Sequence, residues 1–288
     1  MIFSLLIDGL SVGSVYALVA MGLVMLAQST GTMNFAHGDF MMFSTFVAYA
    51  LLVQLKLPFA VAIAGAMVFA ALLGFAVERL VIHHLIGGPM AASIMATLGV
   101  AYILQGIAKD IWSDNIFRFP EIFPGDYIHV GPARMSPQSI GVIVSTLAVI
   151  SLLYLFLNKT KAGTALRALT QNRQAALLMG VRVSRMFSVS WIVGGILAAL
   201  AGILLAPTLF LSTGMGGITF TGIIAAIIGG FGNIYGAILG GYILGIVSSI
   251  LPLFIPTELQ GIIPFVLLMI VLFIRPTGLI GKRVVKKV

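Results

Sequence analysis

Asn34, His37 and Asp39 fall together in Asn34-Phe35-Ala36-His37-Gly38-Asp39, a polar turn between two apolar runs. An amide, an imidazole and a carboxylate so placed suit few tasks. Asn34 or Asp39 can cap a following helix, because either side chain accepts hydrogen bonds from the free amides of a first turn. His37 can titrate, or hydrogen-bond a solute or a neighbouring loop. All three are therefore candidates for a solute pathway or gate. Asn233 joins them from a second glycine-bearing turn, Gly229-Gly230-Phe231-Gly232-Asn233-Ile234-Tyr235-Gly236.

A different chemistry is concentrated in the loop 158–186. It carries Lys159, Lys161, Arg167, Arg173, Arg182 and Arg185 and no acidic residue. A loop so basic between apolar spans belongs on the cytoplasmic side of a membrane. Its interior, from Thr164 to Gly180, has the apolar spacing of an amphipathic helix. A structured cytoplasmic helix on a membrane protein is a surface for a soluble partner.

Other chemistries are excluded. A phosphate-cradling Gly-x-x-x-x-Gly-Lys-Ser/Thr loop is approached only at Gly281-Lys282-Arg283, with Pro276 where the first glycine is needed. His83 and His84 are adjacent, so on a helix they diverge and make poor joint metal ligands; a solvated interfacial pair is expected. There is no cysteine, hence no disulfide or thiolate site. No metal or cofactor is expected. Asp8, Asp39, Glu78, Asp110 and Glu258 fall near span ends, and the remaining acids lie in 111–137. A charge at the bilayer centre costs about 2.5–3.5 kcal/mol on insertion scales and marks an ion relay. With none expected there, the energy source should lie outside this polypeptide.

The elements that must hold these residues are membrane helices. Sixty per cent of the 288 residues are hydrophobic and 8% charged, against about 25% charged in an ordinary soluble domain. The alternating ten-residue segments of a β-barrel are absent. The fold class is an all-α polytopic membrane protein, a bundle of about 8–9 transmembrane helices with a cytoplasmic coupling helix, in a single domain over 1–288. Candidate spans are 5–27, 38–55, 59–79, 91–110, 138–157, 187–208, 217–230, 234–254 and 261–275, with 217–230 short enough to be broken or re-entrant. The apolar run from Ile2 to Ala27 is too long for a signal-peptide core and reads as a first span. With 158–186 inside, the N-terminus is outside and the C-terminus, with Lys282, Arg283, Lys286 and Lys287, is cytoplasmic; 111–137 is an external loop. The net charge of +8 therefore follows the positive-inside bias and is no nucleic-acid signal.

Glycines at Gly9 and Gly13, Gly236 and Gly240, and Gly241 and Gly245 put small residues on helical faces, where membrane helices pack closely or slide. Pro207, Pro252, Pro256 and Pro264 lie at or near the ends of late spans. The two polar turns, 31–39 and 229–236, each join an inward to an outward span, a weak internal similarity of the kind found in duplicated transporter bundles.

Four stretches in order resemble the LivH-type permeases of branched-chain amino acid ABC importers. They are Asn34 to Asp39, Arg167 to Val181, the Gly-rich segment Ala225 to Gly241, and the closing Leu272-Phe273-Ile274-Arg275-Pro276-Thr277-Gly278-Leu279. The resemblance implies a prokaryotic inner-membrane subunit that takes no cofactor. It implies as partners a second, LivM-like permease, two cytoplasmic ABC ATPase subunits, an extracytoplasmic substrate-binding protein, an amino-acid substrate and membrane lipid. A helix over 164–181 would seat in the ATPase, through Arg167, Asn172, Arg173, Ala175, Ala176 and Gly180. Phe231-Gly232-Asn233-Ile234-Tyr235-Gly236 stands where many relatives have Gly-Ser-Ile-Pro-Gly, which leaves the substrate subclass open. Two alternatives differ in class. One is an ion-coupled secondary transporter or channel for a small solute, which needs a buried acid. The other is a membrane scaffold or enzyme subunit, which needs a ligand pair or catalytic cluster within a span.

Overall fold

The computed structural model describes residues 2–130 and 133–281, so the basic tail Lys282, Arg283, Lys286 and Lys287 lies outside the described residues. The helices in chain order are α1 (Ile2–Thr30), α2 (His37–Tyr49), α3 (Phe59–Leu80), α4 (Met90–Trp112), α5 (Pro137–Lys159), α6 (Lys161–Gln171), α7 (Arg173–Leu178), α8 (Val183–Leu209), α9 (Ile218–Gly229), α10 (Ile234–Ile250) and α11 (Ile263–Ile274). A π-helical turn, Ala50–Gln54, extends α2, and 3-10 turns lead into α9 and α11. A hairpin of β1 (Ile128–Val130) and β2 (Ala133–Met135) decorates the loop before α5. Among the described residues, seven helical stretches are long and apolar enough to cross a membrane. The expected spans 38–55 and 217–230 fall on the shorter α2 and α9, and the chain is a helical polytopic membrane protein.

The core is built on α1 and α8, which are apolar on nearly every face and buried along most of their length. Lipid offers no hydrophobic reward for helix association, so close packing must hold the bundle. Glycine provides it. A Cβ on Gly241 would come within 2.6 Å of the Ala17 Cα, one on Gly9 within 2.9 Å of the Ile246 Cα, and one on Gly245 would overlap Gly13. The opposite edge of α10 uses Gly236 and Gly240 against the backbone of Gly229 and Ala225 on α9. One helix thus carries two small-residue faces. Around this centre α4, α5 and α11 expose Met95, Tyr102, Ile103, Leu152, Met269 and Phe273, a surface suited to acyl chains.

Pro207 occupies the last turn of α8, and Pro252, Pro256 and Pro264 all sit at the starts or caps of short helices, where a missing N–H costs little.

The end of the bundle bearing 158–186 is here called the basic end. The chain reaches it along α1, turns at Gly31, and then re-enters the bundle. The His37 ring lies against Gly22, where a Cβ would stand 2.6 Å from its Cε1 and Nε2. Gly22 precedes Thr30 by two helical turns, so α2 starts about 12 Å back from the end of α1 at 1.5 Å per residue. On the other side, Gly222 of α9 packs on Val19 and Leu23 at a similar depth. The polar turn 34–39 was expected at the membrane edge; it lies inside the bundle. The two turns are also unlike: the half-length helix follows the first turn and precedes the second.

Candidate functional site

The half-length helices α2 and α9 begin beside one another. The Gly38 N–H donates to the Thr219 hydroxyl at 2.6 Å, and a Cβ on Gly216 would overlap the Asp39 carboxylate. Asp39 sits in the first turn of α2, 2% exposed, and accepts from Gln105 Nε2 of α4 at 2.8 Å. The first turn of α2, the 3-10 turn before α9 and the Gln105 amide surround this carboxylate.

Asn34 Oδ1 accepts from the Ala36 N–H at 3.1 Å and closes the turn. The cap residue of α2 is Ala36, with no side-chain bond to the helix, so neither Asn34 nor Asp39 is the helix cap. The Thr97 hydroxyl accepts from the Phe35 N–H at 3.3 Å. His37 is fully buried, and among the described residues both of its ring nitrogens and the Asn34 amide nitrogen lack a hydrogen-bond partner. Gln105, Thr97, Thr219 and Gly22 complete the junction, and of these only Gln105, a polar amide inside an apolar run, is marked in the sequence. The expectation that acids stay at membrane edges is corrected on two counts. Asp39 is at a helix end that lies inside the bundle. Glu78, fully buried near the end of α3, accepts from Ser188 Oγ at 2.5 Å and pairs with His83 Nδ1 at 3.2 Å. His83 is therefore tied to an acid and is no simple solvated partner of His84.

At the end opposite the basic loop the bundle is closed by aromatics. Phe46 stacks on Trp112 at 4.9 Å between centroids, and Tyr49, Phe117 and Phe119 continue the layer. Phe117 and Leu211 exchange backbone hydrogen bonds of 2.8 Å, fastening 111–137 to the segment before α9. Asp114 accepts from the Thr213 hydroxyl and lies 3.5 Å from Lys109 Nζ; these two partners, Thr213 foremost, hold its carboxyl below the ordinary carboxylate range.

At the basic end a cavity of about 1010 Å³ opens between α1, α5, α6 and the 231–238 segment. Gln28 Nε2, near the end of α1, donates to the Gly232 carbonyl and so ties α1 to the second polar turn. Asn233 caps α10, accepting from the Tyr235 and Gly236 N–H groups at 3.0 and 3.4 Å, and it lines the cavity.

The basic loop is two helices, where one over 164–181 was expected. Asn172 adopts an extended conformation (φ −155°, ψ 104°) and its side chain accepts from the Ala175 N–H at 2.9 Å, stopping α6 and starting α7. Leu166 and Leu169 bury one face of α6. Arg167 Nη1 donates to Asn158 Oδ1 at 2.7 Å, and Arg173 lies 5.2 Å over the Phe187 ring. Ala175 is exposed, Ala176 is buried, and Gly180 takes a positive φ of 81° that ends α7. Beyond the residues singled out from sequence, Leu178 is 89% and Met179 85% exposed, with Leu177 half exposed. An apolar tip on an otherwise polar loop is the signal that could have revealed them.

Seven membrane-length helices among the described residues, with the half-length α2 and α9 starting inside the bundle, define a polytopic helical membrane protein. Residues 5–272 match the family described as the permease component of the branched-chain amino acid transport system, and the chain belongs to that family. It is 29% identical to the high-affinity branched-chain amino acid permease LivH of Escherichia coli K12, over 98% of this chain and 96% of that protein. Identity is 30% to LivH of Salmonella typhimurium, over 98% and 96%, and 29% to BraD of Pseudomonas aeruginosa, over 98% and 97%. Among solved structures, PsaBC from Streptococcus pneumoniae in complex with Fab superposes with a TM-score of 0.52 over 94% of this chain and 91% of that one, at 18% identity. That likeness is one of fold.

Proposed function

We propose that this chain is the permease subunit of an ATP-driven importer for branched-chain or related amino acids. It forms the pathway with a second, LivM-like permease, on two cytoplasmic ATPase subunits, and receives substrate from an extracytoplasmic binding protein. The observation that carries the reading is the Leu177–Met179 tip. Three adjacent apolar side chains in water, flanked by Arg173 and Arg182, have no reason to be exposed unless a partner covers them. The basic end is then cytoplasmic, the N-terminus outside and the C-terminus inside, in a prokaryotic inner membrane. The aromatic layer closes the outer side while the cavity opens inward, as in a resting, inward-facing importer. Closure of the ATPases on ATP would push α7, and through Asn172 also α6, against α5 and α8.

Leu178→Glu and Met179→Glu change only exposed side chains. ATP-driven uptake in proteoliposomes should fall about tenfold or more, from burial of an unpaired charge at the interface, with insertion unchanged. Normal uptake by both variants sinks the coupling assignment.

The buried Asp39 supports a second reading, ion-coupled transport by this chain alone. Its signature is solute accumulation driven by a proton or sodium gradient, without ATPases, that is lost in Asp39→Asn.

A further inference from the structure

The inner cavity has a composition that the coupling role does not explain. Its walls come from the basic-end halves of α1 and α5, from α6, and from the turn and first turns of α10. Arg167 is the one charged side chain among the described residues lining it. No acid balances that guanidinium; its only hydrogen-bond partner among the described residues is Asn158 Oδ1, which occupies a single N–H. The Gln171 amide, four residues further along α6, lines the same space without a side-chain partner among the described residues. Ile234 and Ile238, both partly exposed, give the cavity an aliphatic wall, while Tyr154 and Tyr235 are half exposed.

Resting on the functional reading above, we infer that this cavity is a binding site for the transported product on the cytoplasmic side: an α-amino acid with an aliphatic side chain. Arg167 and Gln171 take the carboxylate, the planar guanidinium matching it in a way a lysine cannot. The tyrosine faces suit the ammonium group, and the aliphatic wall takes the side chain. The volume, at the upper end of the roughly 300–1,000 Å³ usual for small-molecule sites, leaves room for water, as a release vestibule requires. Arg167 belongs to α6, which runs through Asn172 directly into α7 and its apolar tip. A carboxylate competing with Asn158 for the guanidinium therefore acts on the element that receives the ATPase stroke.

The test uses the assembled complex, permeases with ATPases, without binding protein or nucleotide. Radiolabelled L-leucine should bind saturably. L-leucinol, which lacks the carboxylate, should compete about tenfold less well, and Arg167→Gln should weaken leucine binding about tenfold, the scale of a lost charge-assisted pair. Arg185→Gln, an equal charge change outside the cavity, should leave binding unchanged. The chain has no cysteine, so Ser151→Cys on α5 places this chain's sole thiol in the cavity wall. Leucine should slow its modification by a methanethiosulfonate reagent even if Arg167→Gln fails to assemble. Equal competition by leucinol, unchanged binding in Arg167→Gln, or a Ser151→Cys thiol that is unreachable or unprotected overturns the inference. Absent ATP-driven uptake by the wild-type complex, once supplied with binding protein and ATP, would instead overturn the functional reading beneath it.

Discussion

Gly38 is the residue on which the buried junction turns. Its N–H bonds Thr219, and any Cβ there would run into the Gly216 carbonyl and the Thr219 hydroxyl. Gly38→Ala should cost about 1–3 kcal/mol, the usual range for overpacking, read as a lower thermal unfolding midpoint in detergent. Gly99→Ala, where nothing stands within 4 Å of the added carbon, should leave the midpoint unchanged or slightly raised. Equal midpoints for the two variants would show that the junction tolerates expansion. At this scale the sequence was half legible. Asn34, His37 and Asp39 announce themselves as polar groups between apolar runs. Their roles do not, because Gln105 lies 66 residues beyond Asp39 and Thr219 181 beyond Gly38, and no local pattern reports such pairings.

Among elements, α10 bears the sharpest demand. Its glycines face α1 on one side and α9 on the other, so a single bulky residue opens one seam or the other. Gly245→Ile should abolish the α1–α10 approach and leave the protein aggregated on size-exclusion chromatography. Gly106→Ile, at a position open to its surroundings, should elute as wild type. A monodisperse Gly245→Ile protein would mean that the seam can slide apart without loss of fold. The small-residue stripe was readable from spacing, but its double-sidedness depends on where α9 lies. The basic loop shows the same division. Its amphipathic period is plain in the sequence, whereas the break at Asn172 is a competition between helix propagation and a side-chain cap, and the cap wins.

For the whole molecule, hydropathy marks the long spans, because a helix must offer about 20 apolar residues to cross the hydrocarbon core, but it reads the half-length α2 and α9 as spans too. Depth is another matter. Hydropathy cannot tell a turn at the membrane edge from one folded back into the bundle, which is why the re-entry of 31–36 was invisible. Sidedness can be checked directly in a chain without cysteine. Glu121→Cys should react with an impermeant maleimide from outside intact cells, and Thr164→Cys only after the membrane is opened; the reverse pattern would invert the topology. The distance between Gly38 and Thr219 along the chain also governs biogenesis. When α2 leaves the ribosome its hydroxyl partner is still 181 residues from being translated, so this hydrogen bond can close only once α8 and the first turn of α9 have been made.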